Sequence, residues 1–104
     1  MLVTLRVTIR FMTIKSFKCD DTRALFLGQR VPKWINIERS ALRKLEQLDW
    51  SNVLNDLRVS PGNKLEALKG NRKGQHSIRI NDQWRVCFIW NTDGATEVEI
   101  VDYH

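Results

Sequence analysis

The stretch that most restricts how this chain can fold is residues 77–90, where apolar and polar side chains change places at every step. Ile78 and Ile80 fall on one side and Ser77 and Arg79 on the other. After Asn81-Asp82-Gln83 the alternation resumes, with Trp84, Val86, Phe88 and Trp90 pointing one way and Arg85, Cys87 and Ile89 the other. Two runs of period two around a short polar turn predict a β-hairpin with one large apolar face. Because strand side chains change sides at each residue, burying Trp84, Val86 and Phe88 forces Arg85 onto the opposite face. A cation fixed on a rigid sheet suits a site that handles phosphate, since charge aimed in advance needs no rearrangement as negative charge develops.

The segments before the hairpin read as its cover. Residues 1–11 are β-prone, but Arg6 and Arg10 interrupt their apolar part and spoil a signal-peptide reading. No apolar run is long enough to span a bilayer, so a cytoplasmic protein with no membrane partner is expected. Met12 followed by Thr-Ile-Lys-Ser-Phe looks like a second start. Residues 1–11 are therefore expected to be a dispensable extension of one domain covering residues 1–104. Ile14 and Phe17 are expected in a short strand. Asp20, Asp21 and Thr22 offer N-caps to a short helix through Ala24, Leu25 and Phe26, with Gly28 as its stop. Pro32 opens a longer helix in which Trp34, Ile37, Ala41, Leu45 and Leu48 form one apolar stripe while Glu38, Arg39, Arg43, Lys44 and Glu46 face water. Ser51 or Asn52 caps a last turn through Leu54 and Leu57, ended by Ser60-Pro61-Gly62. Residues 64–68 then read as a strand, residues 69–74 as a glycine-bracketed basic turn, and Val98, Ile100 and Val101 as a closing strand. Helices first and antiparallel strands after predict an α+β fold, a small antiparallel sheet with two to three helices packed on one face. Its other face is free for a site.

Charge is distributed unevenly along this frame. The net charge is +5, yet residues 63–90 carry six basic and two acidic side chains, and residues 91–104 carry four acidic and no basic ones. A basic central hairpin favours polyanions through counterion release, which puts nucleic acid first among partners. Cys19 and Cys87 stand far apart, with no CxxC and no Cys/His cluster, so neither a zinc site nor a disulfide framework is expected and no metal or other cofactor is implied. The basic turn lacks the spacing of a phosphate-binding loop and precedes no helix, which argues against nucleotide binding. Trp34, Trp84 and Trp90 are expected in the core; Trp50, off the helical stripe, is the tryptophan expected to be exposed, at a partner surface.

The residues suited to chemistry lie in the strand-rich half. Lys69, Arg85 and the terminal Asp102-Tyr103-His104 together suit RNA cleavage without metal. There the RNA's own 2′-hydroxyl must lose a proton to attack, the phosphorane charge must be neutralised, and the leaving 5′-oxygen needs a proton. A bland reading stands beside this one, with a frayed chain end, a packed tyrosine and a solvated histidine.

Three stretches taken together, Leu65-Glu66-Ala67-Leu68-Lys69-Gly70-Asn71-Arg72, Ser77-Ile78-Arg79-Ile80-Asn81-Asp82-Gln83-Trp84-Arg85-Val86-Cys87-Phe88, and Asp102-Tyr103-His104, resemble the HigB (plasmid-maintenance killer) branch of the RelE/ParE toxin superfamily. The resemblance spans residues 14–104. It implies a RelE-like fold and a toxin of a type II toxin–antitoxin system that cuts messenger RNA in the ribosome's decoding site. The implied antitoxin is HigA-like, with a helix-turn-helix domain through which alone the complex would meet operator DNA. Residue by residue it implies that Asp102 and His104 move protons, Tyr103 stacks on or orients a base, and Lys69 and Arg85 meet the scissile phosphate. Arg72, Lys73 and Arg79 are expected to bind RNA backbone, with ordinary turn solubility as the plainer role for Arg72 and Lys73. The pattern departs at Glu66, where better-known HigB members carry histidine. A glutamate can accept a proton but, ionised, cannot donate one to a phosphate oxygen, so which residue is base and which acid stays open here. His76 is a second candidate imidazole, with a surface histidine hydrogen-bonded on its strand as the plainer role.

Two rival functions fit the same scaffold, a ParE-like toxin that poisons gyrase by binding alone and a basic domain that binds nucleic acid without specificity. On the reading of residues 1–11 as an extension, deleting them should leave growth inhibition after induction intact, whereas loss of folding in the truncated chain would make them structural.

Overall fold

The computed structural model describes residues 13–103, and the expectations for residues 1–11 and for His104 lie outside the described residues. In chain order the elements are α1 (Asp20–Phe26), a 3₁₀ segment (Pro32–Ile37), α2 (Glu38–Trp50), α3 (Asp56–Val59), β1 (Glu66–Ala67), a 3₁₀ turn (Gly70–Arg72), β2 (His76–Arg79), β3 (Trp84–Asn91) and β4 (Gly94–Asp102). The four strands form one antiparallel meander in the order β1-β2-β3-β4. α1 and α2 lie against β3 and β4, giving the α+β arrangement expected from the residue pattern.

The hairpin is where the alternation placed it. Ile78 faces Val86 and Ser77 faces Cys87 across the strands, and the turn is closed by Asn81, whose side-chain oxygen accepts from the backbone N–H of Gln83 and Trp84 at 2.9 and 2.8 Å. Ile78, Val86, Phe88, Val98 and Ile100 supply the sheet's half of the core. Leu25, Trp34, Ala41, Leu45, Leu48 and Leu57 supply the helical half. Each fully buried aliphatic or aromatic side chain here stabilises the fold by about 1.5–3 kcal/mol relative to exposure. Trp34 meets Trp84 edge-on, while Trp50 is 65% exposed, as its place off the stripe implied.

Several boundaries differ from expectation, each for a physical reason. Cys19, not an Asp or Thr, precedes α1, and Asp20 and Asp21 sit inside its first turn, where they favour the helix dipole. Thr22 is fully buried instead, its hydroxyl accepting from Ile100 N–H at 3.0 Å and tying α1 to β4. Pro32 opens a 3₁₀ segment, and Trp34 leaves helical geometry (φ −114°, ψ 17°) before the α-helix begins at Glu38. Neither Ser51 nor Asn52 caps α3. The Asp56 carboxylate reaches back to the N–H groups of Asn52 and Val53 at 2.8 and 3.2 Å, while Ser51 Oγ donates to Gln47 O at 2.8 Å. The expected strand over residues 64–68 contracts to Glu66–Ala67, and Lys64 before it adopts a left-handed backbone, φ 45°, that departs from regular strand geometry. Leu68 N–H still reaches Gln75 O at 2.9 Å.

Ile14 and Phe17 pair through isolated parallel bridges with Ala95 and Val98, so residues 13–18 run along the outer edge of β4. Asp49, buried at the end of α2, accepts from the N–H groups of Thr13 and Ile14 at 2.9 and 3.0 Å and so holds this segment in place. The approach is closest at Gly94 (φ 137°), where a Cβ would stand 2.0 Å from Thr13 O. Among the described residues no helix is long and apolar enough to cross a membrane. Gly94→Ala should therefore destabilise the fold by at least about 1 kcal/mol, from both its backbone conformation and the clash, measured as a fall in the chemical-unfolding midpoint.

Candidate active site

The face of the sheet away from the helices is built by the same alternation that builds the core. Register places Glu66 opposite Ser77, Ser77 opposite Cys87, Cys87 opposite Glu99 and Arg85 opposite Val101, so these side chains share one surface. A β-bulge shifts the register between Cys87 and Ile89, with Glu97 at φ 51° taking the extra residue. At one end of this surface a cleft of about 460 Å³ is lined by residues 66–69 and 101–103, with Arg72 and Cys87 beneath.

Arg85 lies beside this cleft and is only 6% exposed. Its guanidinium is fixed from several sides: Nε donates to Ser77 Oγ at 2.8 Å, Nη2 donates to Lys64 O at 2.7 Å, and the Glu66 carboxylate lies 3.8 Å from Nη2. The Tyr103 ring covers it, with the guanidinium carbon 4.9 Å from the ring centroid, an arrangement the ring's quadrupole favours. Tyr103 is held in turn by its N–H on Gln83 O at 2.6 Å and by its hydroxyl near Glu66 Oε1 at 3.5 Å. Glu66 thus stands between a buried cation and an aromatic hydroxyl at the mouth of the cleft.

A second cation is anchored next to the first. Arg72 donates to Gln75 Oε1 and to Glu99 Oε2, both at 3.0 Å, and the Glu99 carboxylate holds the guanidinium above its ordinary value. Burial pushes the Cys87 thiol up, so it stays protonated on the cleft floor and makes a poor nucleophile. Lys69 lines the cleft and is exposed; Lys73, next in the basic turn, is exposed as well. Arg79 faces Arg85 across the strand pair and is paired with Asp82, which offsets the like-charge opposition. Asp102 lies at the cleft's edge opposite Trp84, and its carboxylate accepts from Gln83 Nε2 at 3.1 Å.

The structure thus brings Lys69, Arg72, Arg85, Asp102, Tyr103 and Glu66 to one cleft or its margin. It does not bring His76 there. That residue pairs with Phe88 and stacks on its ring at 6.2 Å, on the sheet face that carries the core. The signal was available, since His76 stands two residues before Ile78 and shares its face. Three supporting groups went unnoticed, Ser77, Glu99 and the Lys64 carbonyl. Of these only Ser77 was marked by the alternation, as a neighbour on the Arg85 face.

A small antiparallel sheet backed by helices on one face, with two anchored arginines and a lysine around a cleft on the other, defines a class of small α+β domain with a cationic open face. The family described as the RelE-like toxin of type II toxin-antitoxin system HigB matches residues 15–104. Toxin HigB-1 of Vibrio cholerae serotype O1 is 46% identical over 91 residues, which is 88% of each chain. An uncharacterized protein of Haemophilus influenzae is 38% identical over 58 residues, 56% of this chain and 57% of its own. The chain belongs to the HigB-like family of RelE-like toxins of type II toxin–antitoxin systems. Membership implies an antitoxin partner.

The His76 environment has a pH consequence independent of function. Burial, with Arg58 nearby, holds the imidazole below its ordinary value of 6.5, and Nδ1 is buried without a hydrogen-bond partner among the described residues. Below pH 6.5 the unfolded chain then binds more protons than the folded one, so stability falls as pH drops through that window. The thermal-unfolding midpoint should fall between pH 7 and pH 5, and His76→Phe should flatten that slope; an unchanged slope in the variant would place the acid sensitivity elsewhere.

Proposed function

We propose that this toxin is a metal-independent endoribonuclease that cuts messenger RNA on the translating ribosome, restrained by a HigA-like antitoxin and active in the cytoplasm. The observation that carries the reading is the gathering of Lys69, Arg72 and Arg85 around one cleft whose mouth holds Glu66 and Tyr103. Cations gathered beside a carboxylate suit transesterification at phosphorus, which needs a proton removed and developing negative charge neutralised.

In the proposed reaction the 2′-hydroxyl of the RNA attacks the adjacent phosphorus while a protein base takes its proton. The bond to the 5′-oxygen breaks, and an acid protonates that leaving oxygen, giving a 2′,3′-cyclic phosphate and a 5′-hydroxyl. Lys69 and Arg85 neutralise the phosphorane, and Arg72, Lys73 and Arg79 hold the flanking backbone. Tyr103 lifts from Arg85 to stack on a base. Asp102 and His104 serve proton transfer, and Glu66, a carboxylate at the mouth of the cleft, is a base suited to the first step. The ribosome contributes by presenting the message in a fixed conformation, so that positioning of the substrate is shared between the two partners.

The test is cleavage of a defined message by purified toxin and programmed ribosomes, mapped by primer extension. Cuts inside translated codons are expected. Lys69→Ala should slow them by roughly 10²-fold and Arg85→Ala by at least as much, as removal of one charge-stabilising group typically does. Deleting His104 should abolish growth inhibition in cells. Intact messages accompanied by DNA breaks would overturn the reading in favour of a gyrase poison.

A further inference from the structure

We infer that Ser77 and the Asn63–Lys64 turn are positioning groups that aim Arg85, and that helix α2 carries the turn. This deepens the cleavage reading and rests on it for its activity arm alone. Arginine presents five N–H groups in a rigid fork. Two are taken up by the protein, Nε–H by Ser77 Oγ and one Nη2–H by Lys64 O, and three are not hydrogen-bonded among the described residues. The Glu66 carboxylate stands 3.8 Å from Nη2, an ion pair on the side toward the cleft.

Neither acceptor is an incidental contact. Ser77 is fully buried, so its hydroxyl has no water to turn to. Lys64 adopts a left-handed conformation that L residues with long side chains seldom occupy, and a strained backbone of this kind persists only where its surroundings impose it. Its neighbour supplies the imposition. Asn63 is also fully buried, and each of its polar atoms is engaged: Nδ2 donates to Gln47 Oε1 at 2.7 Å and to Leu57 O at 3.0 Å, Oδ1 accepts from Lys44 Nζ at 2.6 Å, its N–H donates to Ser60 O at 3.3 Å, and its carbonyl accepts from Arg79 N–H at 2.6 Å. Gln47 and Lys44 belong to α2. The helix layer therefore fixes Asn63, Asn63 fixes the Lys64 carbonyl, and that carbonyl with Ser77 fixes the direction of the guanidinium.

Two measurements test this. In free protein, the Arg85 Nε–H signal, assigned by its loss in Arg85→Lys, should be resolved and protected from solvent exchange, and Ser77→Ala should accelerate its exchange at least tenfold. On ribosomes, Ser77→Ala should lower the single-turnover cleavage rate by roughly tenfold to a hundredfold, as small misplacements of a reacting group do. In an Arg85→Lys background the same substitution should have no further effect, because a positioning group acts only through its target. If Ser77→Ala fails to fold, Ser77→Cys keeps the shape, is a poor acceptor and carries the same test. An Arg85 Nε–H that exchanges as fast in the wild type as in an exposed arginine, or a Ser77→Ala effect that persists undiminished without Arg85, overturns the inference. Wild-type toxin that leaves messages intact would sink the cleavage reading alone, and the exchange measurement would still decide this one.

Discussion

A charged guanidinium removed from water is costly unless its surroundings replace what water supplied, and the open face of this protein is arranged around meeting that requirement for Arg85. A hydroxyl, a backbone carbonyl, a carboxylate and an aromatic ring surround it, and each comes from a different part of the chain: β2, the turn before β1, β1 itself and the residue after β4. The antiparallel meander brings these parts together. Without the register that sets Glu66 opposite Ser77, the guanidinium would lack a carboxylate on its open side.

The two faces of the sheet are one decision made by β3. Packing Val86 and Phe88 under α2 sends Arg85 and Cys87 the other way, so the hydrophobic effect that stabilises the fold also specifies where the cation goes. The second arginine follows a different logic. Arg72 sits on a short 3₁₀ turn and owes its placement to Glu99 and Gln75, ion-pair and hydrogen-bond partners brought near by β4 and by the approach to β2. One cation is thus held by burial and the other by pairing, which leaves Lys69 as the exposed member of the three.

Much of this frame was legible in the residues because period two is a strong signal when both runs of a hairpin carry it. The side to which Arg85 points followed from Trp84, Val86 and Phe88 alone. Its degree of burial did not, since the groups that enclose it lie up to 21 residues away and include a backbone carbonyl, which has no residue type to read. The left-handed Lys64 was equally hidden, for it is imposed by a buried asparagine tied to a helix and not by local preference. Pro32 fits the first turn of an α-helix and of a 3₁₀ segment alike, so it marked a start without distinguishing the two. His76 is a different case. Its spacing from Ile78 assigns it to the apolar side, where it stacks on Phe88.

The segment running beside β4 bears on how other molecules meet this protein. A sheet rim with free N–H and C=O groups invites foreign strands to dock, and here residues 13–18 occupy one rim while the other, β1, is two residues long. Among the described residues neither border offers a long ladder to extend. Few backbone groups there stand ready for a foreign strand, and that shortage curbs the indiscriminate strand pairing that drives small β-rich proteins to aggregate.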